Sequence, residues 1–260
     1  MARASGPGKY LLVITACIDP SGGPARVVRA DPAVRLEDYR AALRYWLAHP
    51  DRRLRDILFL ENSGYSLDAL REIARSENPL NKQVEFVSMR CNNFPEKTGH
   101  GYAELQMLDE GLPQSKLAAV AKYLIKVTGR LTFPDLPRLL DRLPDEYLFA
   151  VDSRNSVKFT RVPQVFVTTQ LMIFSAEFYR TELAGIREQM LSRNILCIEN
   201  LFWDKLIPYR GRNGAILRWP VNVDPVGIAA HWEFDYRSGR KRLLSAARAV
   251  ARVVTPWWWV

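Results

Sequence analysis

The chain reads as an α/β protein with a mostly parallel sheet flanked by helices, and three observations predict this. Short apolar, partly β-branched runs alternate with segments of helical spacing. The runs end in carboxylates or in Gly- and Asn-bearing loops, as strands do when they deliver polar residues to one edge of a sheet. The 260 residues are 48% hydrophobic and 25% charged, which supplies one well-buried core but too little length for two full domains.

Taken in order, "KYLLVITACIDP" predicts a buried strand that emerges at Asp19, where Pro20 and a Gly-rich loop stop it. "LEDYRAALRYWLAH" places Tyr39, Leu43, Trp46 and Leu47 on one helical face. "RDILFLENSGY" is a second strand that exits into Glu61-Asn62-Ser63-Gly64, and "SLDALREIAR" is a helix with Ser66 as its cap. A third strand, "VEFVSMR", leads through the loop "CNNFPEKTGHG" to a helix from about Tyr102 and a second helix around "SKLAAVAKYL". "KYLIKVTGRL" then reads as a strand carrying two cations, Lys126 and Arg130, on either side of a Thr128-Gly129 turn. "EYLFAVDSRN" and "VPQVFVTTQLMIFS" predict later strands, antiparallel and at the edge, before one helix over "AEFYRTELAGIREQML". The α/β body is expected over 1–239.

Residues 240–260 form a distinct tail. "RKRLLSAARAVARVV" sets Leu243, Leu244, Ala247, Ala251 and Val254 at helical spacing with Arg240, Lys241, Arg248 and Arg252 elsewhere, and "PWWWV" follows. A basic amphipathic helix followed by tryptophans suits an anionic membrane surface. A helix packed on the body, with its tryptophans filling a groove, suits the same residues.

Net charge is +9, from 37 Lys+Arg against 28 Asp+Glu, which favours polyanionic neighbours: nucleic acid, anionic lipid or phosphorylated small molecules. Cys17, Cys91 and Cys197 lack metal-ligand spacing and read as reduced thiols, each a small core residue. No run reaches the roughly 18 apolar residues that would span a bilayer, and "MARASGPGKY" lacks a signal-peptide centre, so the protein is expected inside the cell.

The order of the strand ending near Asp19, "LENSGYSLD", "EKTGHGYAELQMLDEGL", "KYLIKVTGRL", "FVTTQLMIFSAEFY" and "CIENLFWDKL" resembles that of nucleotide-sugar glycosyltransferases of the GT-A fold. It is similar, more narrowly, to bacterial enzymes of surface-polysaccharide (lipopolysaccharide or capsule) assembly with a Lys-X-Thr-Gly-Arg segment after a Gly-X-Gly loop and helix. The likeness spans roughly Leu11 to Leu206 and rests on segment order. It implies a GT-A-like, Rossmann-like sheet whose first two strand ends hold the nucleoside through Thr15, Ala16, Asp19, Glu61 and Asn62. Gly101, in the Gly99-His100-Gly101 loop, would let the backbone approach the donor. Where most GT-A enzymes carry an Asp-X-Asp metal site, this chain has Lys126, Thr128, Gly129 and Arg130, and cations stabilise a departing phosphate directly. The resemblance therefore implies no metal and no cofactor beyond the donor. Asp152 either locks to Arg154 or touches a sugar hydroxyl. Glu199, with Asp204 second, is the implied general base for an acceptor hydroxyl.

The function expected from this likeness is metal-independent, inverting transfer of a sugar from a nucleotide-sugar to a lipid-linked, lipopolysaccharide or polysaccharide acceptor. It would take place at the inner face of the membrane, without nucleic acid. A basic α/β module that binds nucleic acid or membrane without turnover is the alternative. The chain lacks the aromatic-interleaved basic strands of common RNA-binding sheets. A methyltransferase would want a better Gly-rich loop after the first strand than "ACIDPSGGPAR".

Overall fold

The structure is a computed structural model that describes residues 8–24, 27–155, 165–228, 239–255 and 259. Its centre is a seven-stranded sheet in the order β3-β2-β1-β4-β8-β5-β9. The strands are β1 (Tyr10–Ala16), β2 (Asp56–Glu61), β3 (Gln83–Ser88), β4 (Tyr123–Thr128), β5 (Phe149–Ala150), β8 (Leu171–Ser175) and β9 (Ala215–Ile216), while β6 (Ser153–Asn155) and β7 (Val165–Val167) form a separate antiparallel ribbon.

β1 and β2 are buried at every residue because both faces of the sheet are covered, which is why they read as continuous apolar runs. Alternation along each strand divides the apolar side chains between two cores. Leu12, Ile14, Ile57, Phe59, Ile125 and Val127 face α1 (Pro32–Ala48), α2 (Asp68–Ser76) and, further along, α5 (Leu136–Leu140). Leu11, Val13, Leu58, Leu60 and Leu124 face α3 (His100–Gly111) and the short α4 (Lys116–Val120), together with α6 (Ala176–Phe178), α7 (Glu188–Ser192) and α8 (Ile198–Leu206).

The expected helix after Ala176 is interrupted. α6 passes into a π-helical turn over Tyr179–Leu183, and Gly185, at φ +78, reverses the chain before α7. β8 is antiparallel, as expected, but it lies inside the sheet between β4 and β5, and β9 takes the edge.

β1 to β4 are mutually parallel, and β1 is the point at which the order turns back: β2 and β3 lie to one side and β4 to the other. Loops leaving the carboxyl ends of β1 and β4 therefore part, which opens a crevice there. The tail helix α9 (Gly239–Val254) docks beside it through its charged face. Arg252 is buried against Asp152 at 2.6 Å and the Trp219 carbonyl at 2.8 Å, and Ser245 donates to Asp224. Four of its apolar residues point outward, with Leu243 74% and Val253 82% exposed and Val250 and Val254 exposed beside them. Trp259 packs edge-on to Trp203, while Trp257 and Trp258 lie outside the described residues. Among the described residues no helix is long and apolar enough to cross a membrane.

Candidate functional site

A cavity of about 1300 Å³ occupies the crevice, with walls drawn from the ends of β1, β2 and β4, from α3 and α8, and from α9. Thr15, Ala16, Asn62, Gly101, Thr128, Arg130 and Glu199 all line it, so residues up to 184 positions apart in sequence share one space. The other predicted site residues do not line it, and each has a physical reason.

Lys126 is the clearest correction. Thr15, Lys126 and Thr128 fall on the same face of neighbouring strands, in registers Val13↔Lys126 and Thr15↔Thr128, and that face lies under α3. The Lys126 ammonium is 2% exposed and meets the Glu104 carboxylate of α3 at 2.5 Å and the Thr169 carbonyl at 2.7 Å. Thr15 donates its hydroxyl to the same Glu104 oxygen at 2.9 Å. Lys126 is therefore an internal cation that fixes Glu104, rather than a contact for a phosphate in the cavity.

Glu61 is also corrected. Its fully buried carboxylate accepts the backbone N–H groups of Ile18, Ser63, Gly64 and Tyr65 at 3.1, 2.9, 2.9 and 3.2 Å, and hydroxyls of Ser63 and Ser88 as well. Every lone pair is spent on folding the β1 and β2 exits. Asp19 caps a short 3-10 turn through Ser21, whose hydrogen bonds hold its carboxyl below the usual carboxylate range, and it is not among the residues that line the cavity. Gly129 serves packing: a Cβ there would stand 2.6 Å from the Thr15 carbonyl oxygen. Asp204 is carried round α8 from Glu199 to the exposed face, where it pairs with Arg193 at 2.6 Å. Asp152 is 1% exposed. Burial alone would raise its pKa, but the guanidiniums of Arg252 and Arg154 hold it below the ordinary carboxylate value. The expected Asp152–Arg154 lock is present at 3.4 Å, and Arg252 is its stronger partner.

Glu199 stands half-buried in the first turn of α8 and accepts the Thr169 hydroxyl at 3.1 Å. Thr169 thus connects two acids, through its carbonyl to Lys126 and Glu104 and through its hydroxyl to Glu199. Asn62 lines the cavity, and its Oδ1 is buried without a hydrogen-bond partner among the described residues. Arg130 reaches the cavity with one guanidinium nitrogen held by the Ile228 carbonyl at 2.8 Å. His100, Ala103, Glu104 and Met107 face it at helical spacing along α3, and His100 sits edge-on to Phe94.

The thiols are not poised for nucleophilic attack. Burial pushes Cys17 up despite Arg35 beside it, and pushes Cys91 up to about 12. Only Cys91 is a core residue; Cys17 is half-buried and Cys197 exposed. Among the described residues no three His, Cys, Asp or Glu side chains come together as a metal set. At the end of β4 the cavity is lined by Arg130, and Glu104 of α3 is paired with Lys126.

Glu104 and Thr169 escaped sequence reading because their partners are distant in the chain. A signal was present for Thr169, since "VTTQ" places two polar residues inside an apolar strand run.

No protein-family profile matches the chain, and no curated protein matches it in sequence. Among solved structures, an active-site mutant of LgtC is similar with a TM-score of 0.53 at 12% identity, over 91% of this chain and 95% of that one. The bifunctional glycosyltransferase WbbM follows at 0.47 and 14%, over 79% and 39%, and the inositol-1-phosphate CTP transferase of T. maritima at 0.48 and 13%, over 92% and 96%. The likeness to LgtC is one of fold: the chain has a GT-A-like α/β fold.

Proposed function

We propose that this protein is a glycosyltransferase that moves a sugar from a nucleotide-sugar to a lipid-linked or polysaccharide acceptor, with inversion and without a metal ion. One observation carries the reading: the exits of β1 and β2, the Thr128–Arg130 segment and Glu199 converge on a single cavity. A donor needs a nucleoside site, a cation at the departing phosphate and a base at the acceptor oxygen, all within one molecule's length.

Asn62 offers its unpaired acceptor to a base or ribose donor, and Thr128 and Arg130 lie where the diphosphate would leave. Arg130 stabilises the charge that develops on the leaving oxygen, as an oriented guanidinium does in a site shielded from water. Glu199, held by Thr169, takes the proton from the acceptor hydroxyl as that oxygen attacks the anomeric carbon. Lys126 acts behind the cavity wall by holding Glu104 in place.

Attachment to an anionic membrane belongs to the same proposal. The outward Leu243, Val250, Val253 and Val254 of α9 follow the basic run Arg240-Lys241-Arg242 in the chain, a pairing suited to a lipid head-group layer.

The test is nucleotide release from UDP-, GDP- and CMP-sugars in EDTA, with Glu199→Gln as the paired variant. Turnover with one donor, unaffected by EDTA and reduced on the order of 10²-fold or more in the variant, is expected. A wild-type protein that neither binds nor turns over any of the three would instead indicate a non-catalytic basic module.

A further inference from the structure

Four arginines gather at the wall that α9 adds to the cavity. Arg154 of β6, Arg218, and Arg248 and Arg252 of α9 act on one another and on Asp152 and Asp224. Asp152 and Asp224 are the carboxylates that act on them among the described residues, and both are engaged. Asp152 is closed by Arg252 at 2.6 Å, and Asp224 accepts from the Asn222 amide at 2.9 Å and from the Ser245 hydroxyl. Of these four, Arg154 and Arg248 line the cavity. Arg154 has only a 3.4 Å approach to Asp152, with its plane near the Phe166 ring, and Arg248 makes no hydrogen bond to any described residue.

We propose that Arg154 and Arg248 form a binding site for a phosphate group in the β6–α9 wall of the cavity, separate from Arg130 at the end of β4. Like charges gathered in a partly enclosed space are costly unless an anion joins them, and a planar guanidinium offers paired donors that fit phosphate oxygens. Burial and the neighbouring Arg252, Arg154 and Arg248 push Arg218 down to about 10, and burial together with Arg154 pushes Arg248 below its ordinary value. A phosphate of the donor and a phosphate on a lipid-linked acceptor share this chemistry. The site requires neither reaction to exist.

Calorimetric titration of the full chain with inorganic pyrophosphate at low salt tests it. Wild type should bind, more weakly as salt is added, and the Arg154→Gln/Arg248→Gln double variant should bind on the order of 10- to 100-fold more weakly. Arg248→Lys, which keeps the charge, should retain most of the affinity. Equal affinity in wild type and double variant, or no binding by wild type, overturns the proposal. Should the double variant fail to fold, Arg248→Gln alone gives the same reading, since that side chain makes no hydrogen bond to a described residue. Two further ligands separate the sources: affinity for UDP or GDP lost in the variant assigns the site to the donor, whereas loss confined to a short-chain prenyl phosphate assigns it to the acceptor. Pyrophosphate binding is measured without turnover, so a failed glycosyltransferase assay leaves this result standing.

Discussion

Glu61 and Lys126 show how a charged side chain at a strand end divides between binding and building. Glu61 accepts four backbone N–H groups, and Glu61→Gln would leave several of these buried donors without an acceptor. Each stranded donor costs about 1–3 kcal/mol, so the variant should lose about 3 kcal/mol or more in urea unfolding. An unchanged midpoint would contradict the structural role. Asp152 yields a pH prediction. Its folded pKa lies below the unfolded value of about 3.9, so the stability it contributes is complete above that value and is lost as pH falls through the lower folded one. Asp152→Asn should accordingly be less stable than wild type at pH 7, by about 3–5 kcal/mol for a broken buried pair, and the gap should narrow below pH 4. A gap that stays constant with pH would remove the ion pair as its cause. The sequence marked these residues as unusual because carboxylates and cations interrupt apolar runs. It could not say which turn inward, since that depends on partners such as Glu104, Thr169 and Arg252, which fold from other elements.

Among the elements, β1 to β4 and α1 to α3 were legible because their signals are local: two-residue alternation, helical spacing and turn residues. Two later features were not. The helix after Ala176 has helical composition throughout, yet the π turn and Gly185 divide it. β8 looked like an edge strand because nothing in "LMIFS" names its neighbours, and only pairing with both β4 and β5 places it inside. The Gly-X-Gly loop owes its second glycine to helix contact. A Cβ at Gly101 would stand 2.4 Å from Cβ of Ile198, so the starts of α3 and α8 touch there, beside Glu104 and Glu199. Gly101→Val should push the two helix ends apart, cost about 1–3 kcal/mol and weaken nucleotide binding, with Ile198→Ala restoring part of both. Thermal melts with and without nucleotide would show this, and a variant that binds normally would refute the contact's importance.

For the whole molecule, the tail was readable as a basic amphipathic helix, but its orientation was not. Its charged face turns inward because Asp152 and Asp224 wait there, and the valines are left outside. Membrane attachment is therefore best tested by Leu243→Ser/Val250→Ser/Val253→Ser, which should abolish sedimentation with anionic liposomes while the melting temperature stays within a few degrees. Sedimentation equal to that of wild type would rule out α9 as the anchor.

That reversed helix also bears on how the protein is handled. Trimming an oily carboxyl terminus is a common remedy for poor solubility. In this chain the cut would remove Arg252 from its burial site and Arg248 from the chamber lining, so a shortened form would lose a side of its own pocket along with the greasy surface.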